Sequence, residues 1–144
     1  MIHARNAAMI ALSGVLLTTP MISGCRAMKK KKDAQSMVQR LQNAPPIRTE
    51  TLGDHHMLIM QAPNPGWLYK LDRDDRDREG WIVWVTIRKP DPAYMYPQRI
   101  VDKRLLTQVE SDQPIRVMAR LLAHDERGNS DQYAPLALTN QDVP

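Results

Sequence analysis

Four histidines, sixteen carboxylates and one cysteine are the side chains of this 144-residue chain with the most chemical capacity. Their spacing limits what they can do. His55 and His56 are adjacent, and on a strand neighbouring side chains point to opposite faces, so the two do not readily share one metal ion. A zinc site needs three or four convergent ligands, and no spacing motif adds His124 to either of them; no metal is expected. Asp72-Arg73-Asp74-Asp75-Arg76-Asp77-Arg78-Glu79 is rich in oxygen ligands. A calcium loop, however, places acids or amides at alternate positions and then a glycine. Here Arg76 takes the third alternating position with no glycine after it, which predicts a solvated hairpin loop. Ser111 and Ser130 lack the Gly-x-Ser-x-Gly frame of a nucleophile elbow, and no glycine-rich loop is present to cradle phosphate. No catalytic residue and no cofactor are assigned. The enzymatic alternative is a small envelope hydrolase or ligand-binding enzyme using His124 with nearby acids.

The cysteine has a more specific context. Residues 1–24 contain one Lys or Arg residue, Arg5, and no acid, then an apolar run from Ala7 to Leu17 and small residues up to Cys25. A basic start, a short apolar middle and a small-residue exit predict a secretory signal peptide. The apolar run falls short of the roughly 20 residues that span a bilayer. Ile22-Ser23-Gly24-Cys25 resembles a bacterial lipobox: an aliphatic residue, two small residues and the cysteine that becomes the mature N-terminus. The resemblance implies cleavage between Gly24 and Cys25 and a thioether-linked diacylglycerol on Cys25, with palmitate-class chains. It also accounts for a lone cysteine in a compartment where free thiols oxidise. Two or more acyl chains anchor firmly, since each buried methylene contributes about 0.8 kcal/mol.

The isoelectric point near 9.4 suggests an anionic partner, but the charge is uneven. Arg26 to Gln42 carries six cations against Asp33. Asn43 to Pro144 carries 13 cations against 15 anions, a balance of −2. The basicity therefore belongs to a tether. Lys29, Lys30, Lys31 and Lys32, four residues beyond Cys25, are expected at headgroup level, where each contributes on the order of 1 kcal/mol near an anionic surface. A nucleic-acid partner is excluded, because no basic face with base-reading side chains accompanies the charge.

Ala34 to Gln42 has the spacing of a short helix, with Met37, Val38 and Leu41 on one side. It is too short to persist alone in water, so it packs on the domain or frays. Asn43-Ala44-Pro45-Pro46 ends it. These signals give three segments: a signal peptide over 1–24, a lipidated cysteine and basic linker over 25–46, and a folded domain over 47–144. Beyond Ile47 the period is two. Strands are expected around Met57-Leu58-Ile59-Met60, at Trp67-Tyr69-Leu71, from Trp81 to Arg88, within Tyr96 to Val109, from Ile115 to Ala123, and at an edge near Tyr133 to Leu138. Trp81 to Arg88 carries apolar or β-branched residues on both faces and is predicted near the sheet centre. The fold class is all-β: a small antiparallel sandwich, immunoglobulin-like without its disulfide, or a partly open barrel.

Two stiff loops carry aromatics: Pro63-Asn64-Pro65-Gly66-Trp67, and Pro90-Asp91-Pro92-Ala93-Tyr94-Met95-Tyr96-Pro97. Proline lowers the ordering cost of a loop, and Trp or Tyr supplies large contact area. Trp67, Tyr94 and Tyr96 are therefore candidate protein-binding residues, the alternative being that they cap the ends of the core. From Gly66-Trp67 to Leu122 the order of strands and loops resembles small bacterial protease-associated or protease-inhibitor-like β-domains, which implies such a module as a further alternative. The expected protein is a lipid-anchored component of the cell envelope whose domain binds another envelope protein or acts structurally.

Overall fold

A computed structural model describes residues 35–139. The lipobox, Cys25 and the lysine run lie outside the described residues. Seven strands follow a short helix, α1 (residues 35–41): β1 (Ile47–Leu52), β2 (His55–Ala62), β3 (Leu68–Asp77), β4 (Gly80–Arg88), β5 (Val101–Glu110), β6 (Ile115–Leu122) and β7 (Ala134–Pro135). They form two sheets, ordered β1-β2-β5 and β3-β4-β6-β7. Of the two all-β arrangements expected, the sandwich is the one formed. No helix among the described residues is long and apolar enough to cross a membrane.

Alternation builds the core. Leu58, Met60 and Ala62 of β2 face Val83, Val85 and Ile87 of β4 and Val117, Ala119 and Leu121 of β6, all essentially without solvent exposure. With no Phe in the chain, aliphatic side chains fill the space, and the partly buried Trp67, Tyr69, Leu71 and Trp81 close its margins. Between β1 and β2 a two-residue turn uses Gly53 at a left-handed φ of 60°, a conformation that glycine adopts without steric cost.

One pair departs from the expected antiparallel pattern: β4 and β6 run parallel, Trp81 opposite Ile115 and Arg88 opposite Leu122. The chain leaves β4, crosses to the other sheet as β5 and returns through 111–114. The two sheet neighbours are therefore separated in sequence by one strand of the opposite layer, and the returning strand points the same way as β4.

The charged run Asp72 to Glu79 is also corrected. It is strand as far as Asp77, paired with β4, rather than a solvated hairpin loop. The register slips between Leu71 and Arg73. This bulge lets Asp72 and Arg73 both reach the outer face, where Asp72 meets Thr86 and Arg73 lies 4.4 Å over the Trp84 ring. A bulge inverts the inside-outside phase beyond it, so simple alternation read across Asp72 loses the strand.

Helix α1 packs on the sandwich. Met37 and Leu41 are 2% and 8% exposed and belong to the core, so the packed body begins ahead of Pro46. Arg40 clamps the other side, its Nη1 and Nη2 donating to both Glu126 oxygens at 2.9 and 2.6 Å. That pairing pulls the Glu126 carboxyl from 4.5 down to about 2. A carboxylate held below its unfolded value stabilises the fold above that value, and the contribution disappears as pH falls from about 4.5 towards 2. The pair is partly exposed, so its contribution stays under about 1 kcal/mol. Urea midpoints at pH 6 and pH 2.5 check this: Glu126→Gln loses less stability on acidification than wild type.

Candidate recognition surface

The registers Ile47–Met60, Ala62–Val101, Leu68–Arg88 and Arg88–Leu122 bring one end of every long strand together. Helix α1, loop 63–67, loop 89–100 and loop 123–133 all gather at this end of the sandwich. The turns at 53–54, 78–79 and 111–114 lie at the other.

Loop 63–67 is fixed from within and from β5. The Gly66 amide donates to Asn64 Oδ1 at 3.0 Å, an Asx turn, and Lys103 Nζ donates to the Pro65 carbonyl at 3.1 Å. Loop 89–100 is anchored by the Lys89 amide on the Leu122 carbonyl at 2.9 Å and turns at Asp91. Asp91 Oδ1 accepts the Ala93 amide, and its carbonyl accepts the Tyr94 amide. The two loops meet at Gly66, where an added Cβ would stand 2.6 Å from the Tyr96 ring. A residue without a side chain is what lets the tyrosine lie down there.

The three candidate aromatics therefore separate. Trp67 packs against the core and Tyr96 is half-buried on Gly66; Tyr94 stands out at 67% exposure beside Met95, which is fully exposed. Trp67 also lines a groove of about 300 Å³ with Ala44, Pro45, Pro46, Pro63 and Ile100. Sequence reasoning missed Ile100, Pro45 and Pro46, because the first reads as a strand residue and the prolines as a helix stop. A second groove, of about 410 Å³, runs beside β6 between Ile82, Ile115, Val117, Pro135, Leu136 and Leu138. There the two-residue β7 leaves the start of β6 unpaired on that edge.

The outer face of the β4-β6 sheet carries the densest polar cluster. Asp72 Oδ2 accepts hydrogen bonds from Thr86 Oγ1 and, at 2.8 Å, from the Tyr133 hydroxyl. Arg120 Nε donates to Thr86 Oγ1 at 2.8 Å and its guanidinium lies 4.6 Å over the Tyr133 ring. Tyr133 in turn meets Trp84 edge-on with centroids 4.9 Å apart. Burial, reinforced by the Asp72 carboxylate, raises the Tyr133 phenol above its ordinary range. The Asp72, Thr86, Arg120 and Tyr133 side chains bond to one another, which holds loop 123–133 onto the sheet, while the buried Trp84 Nε1 has no hydrogen-bond partner.

Residues with catalytic types are dispersed. His55 and His56 start β2 at the far end, where His56 Nε2 donates to the Gln113 carbonyl at 2.8 Å. His124 stands at the near end, with Asp91 Oδ1 3.7 Å from its Nε2 and Asp125 Oδ1 3.6 Å from its Nδ1. Both separations exceed hydrogen-bond length, and neither groove described above is lined by His124. Arginines occupy much of the acidic run: Arg73 pairs with Asp75 at 2.6 Å, and Arg116 pairs with Asp77 and, at 2.7 Å, with Glu79. Among the described residues no group of three or more His, Cys, Asp and Glu side chains is placed to hold a metal ion. What the surface offers is an apolar, proline-stiffened groove beside an exposed loop tip, a geometry suited to contact. No family model, no curated protein and no solved structure matches the chain.

Proposed function

We propose that the chain is a lipid-anchored protein of a bacterial cell envelope, held by acyl chains on Cys25, whose β-sandwich serves in binding or structure rather than catalysis. The observation that carries this reading is the agreement of a signal-like leader with Ile22-Ser23-Gly24-Cys25 and a lysine run directly after it. The fold is compatible with it, since among the described residues the first core side chain is Met37, twelve residues beyond the cysteine. The apolar groove beside β6, between Ile82, Ile115, Leu136 and Leu138, is the surface on which a second envelope protein would dock, its lining supplying the contact energy.

Replacing Cys25 tests the anchor. Cys25→Ala in the full-length chain is expected to abolish incorporation of labelled palmitate, to leave the leader uncleaved by the lipoprotein signal peptidase and to change envelope fractionation. Wild-type processing and fractionation of that variant would refute the lipidated assignment.

A further inference from the structure

We infer that the sandwich meets the bilayer with the end bearing loop 89–100, and that Tyr94, Met95 and Ile100 dip into the lipid interface. This rests on the lipid-anchor reading above and adds an orientation and a second contact to it.

Three observations converge. First, the tether is short and joins the body at this end. Ten Cα–Cα steps separate Cys25 from Gln35, at most about 35 Å when fully extended. If Lys29 to Lys32 lie at the headgroups, three steps remain from Lys32 to Gln35, about 10 Å. Helix α1 then docks where β6 ends, through Met37 on Leu121 and Arg40 on Glu126. The far end of a ten-residue strand is roughly 33 Å further away.

Second, exposed apolar side chains concentrate at the same end. Among the described residues the large hydrophobic side chains with strong exposure are Val38, Leu52, Leu68, Tyr94, Met95, Ile100 and Leu106. All but Leu52 and Leu106 belong to α1, the first residue of β3 or loop 89–100. Met95 is completely exposed and Ile100 is 75% exposed, unusual positions for such side chains unless something apolar covers them.

Third, the charges agree with this orientation. At the loop end exposed Lys70, Lys89, Arg99 and Arg127 slightly outnumber exposed Asp102, Asp125 and Asp131, whereas at the opposite end exposed Asp54, Asp75, Asp77, Glu79, Glu110 and Asp112 outnumber Arg76, Arg78 and Arg116. An anionic leaflet attracts the first and repels the second. Tyrosine suits the boundary because its ring is apolar and its hydroxyl stays hydrated. A protein partner on the tip would be served by the same side chains, but neither the tether length nor the charge gradient would then have to agree.

The test uses the full-length acylated protein in vesicles of phosphatidylethanolamine and phosphatidylglycerol. Met95→Cys and, as reference, Asp112→Cys are each labelled with an environment-sensitive fluorophore. Both positions are exposed, so neither substitution disturbs the core. The expected result is a blue-shifted label at position 95, quenched by doxyl groups on the lipid chains and shielded from aqueous iodide, with the reverse behaviour at position 112. Equal iodide access at both positions on floated vesicles overturns the proposal while the anchor stands. Shielding of position 95 that requires added envelope protein overturns it in favour of a protein contact. A chain that does not float, and that takes a second label on Cys25, overturns the anchor reading and this orientation together.

Discussion

Met37→Ala is expected to destabilise the protein by about 3 kcal/mol, within the range for emptying a buried methionine site, although Met37 belongs to a segment whose sequence reads as linker. The side chain is 2% exposed in the core cluster, and its sulfur does a second task. β7 pairs only with Met118 and Ala119, so the Leu121 amide has no strand partner on that side. It donates instead to Met37 Sδ at 3.1 Å. Truncation thus removes apolar volume and strands a buried donor, each of which costs free energy. Met37→Leu separates the two, keeping most of the volume without the acceptor, and is expected to cost about 1 kcal/mol. Urea unfolding of wild type and both variants measures this. A helix that merely frayed beside the domain would give no change for either, which would refute the packing described.

Asp72→Ala is expected to cost about 3 kcal/mol and to free loop 123–133. Two donors end on Asp72 Oδ2, Thr86 Oγ1 and the Tyr133 hydroxyl, and both residues are less than 10% exposed. Hydrogen bonds to a charged acceptor contribute roughly 1.5–3 kcal/mol each, and donors left buried without a partner incur their desolvation cost. Arg120, 3.9 Å from the same carboxylate, would also lose its counter-charge. For a domain of this size the melting temperature should fall by roughly 10–20 °C. Asp72→Asn retains an acceptor and should lose about half as much. The loop provides an independent readout: trypsin should cut at Arg127 well below the melting transition in Asp72→Ala and not in wild type. Equal cleavage in both would show that the loop is held by other contacts, chiefly Arg88, whose Nη1 donates to the carbonyls of Ala123, His124 and Glu126 at 2.8–2.9 Å.

Much of the architecture is local information. The apolar alternation of Trp81 to Ile87 and of Ile115 to Leu121 fixes which side chains enter the core, because a one-residue slip would expose all of them. The stop at Asn43-Ala44-Pro45-Pro46 after α1 is legible for a similar reason: φ and donor requirements belong to single residues. The candidate aromatics were legible as loop residues from the flanking prolines. Which of them protrudes was not, since it depends on Gly66 receiving the Tyr96 ring from a loop thirty residues away.

Sequence alone thus determined the all-β class, the central place of β4 and the segregation of cationic charge into residues 26–42, each a property of neighbouring residues. Tertiary structure alone decided that β4 and β6 are parallel, that Asp72 breaks the phase of β3 and that Met37 belongs to the core. Strand direction depends on which layer the intervening chain occupies, and a bulge or a buried helix face acquires meaning only against the surface that it meets. The convergence of α1 with loops 63–67 and 89–100 at one end is likewise a consequence of register between distant strands, which no local pattern encodes.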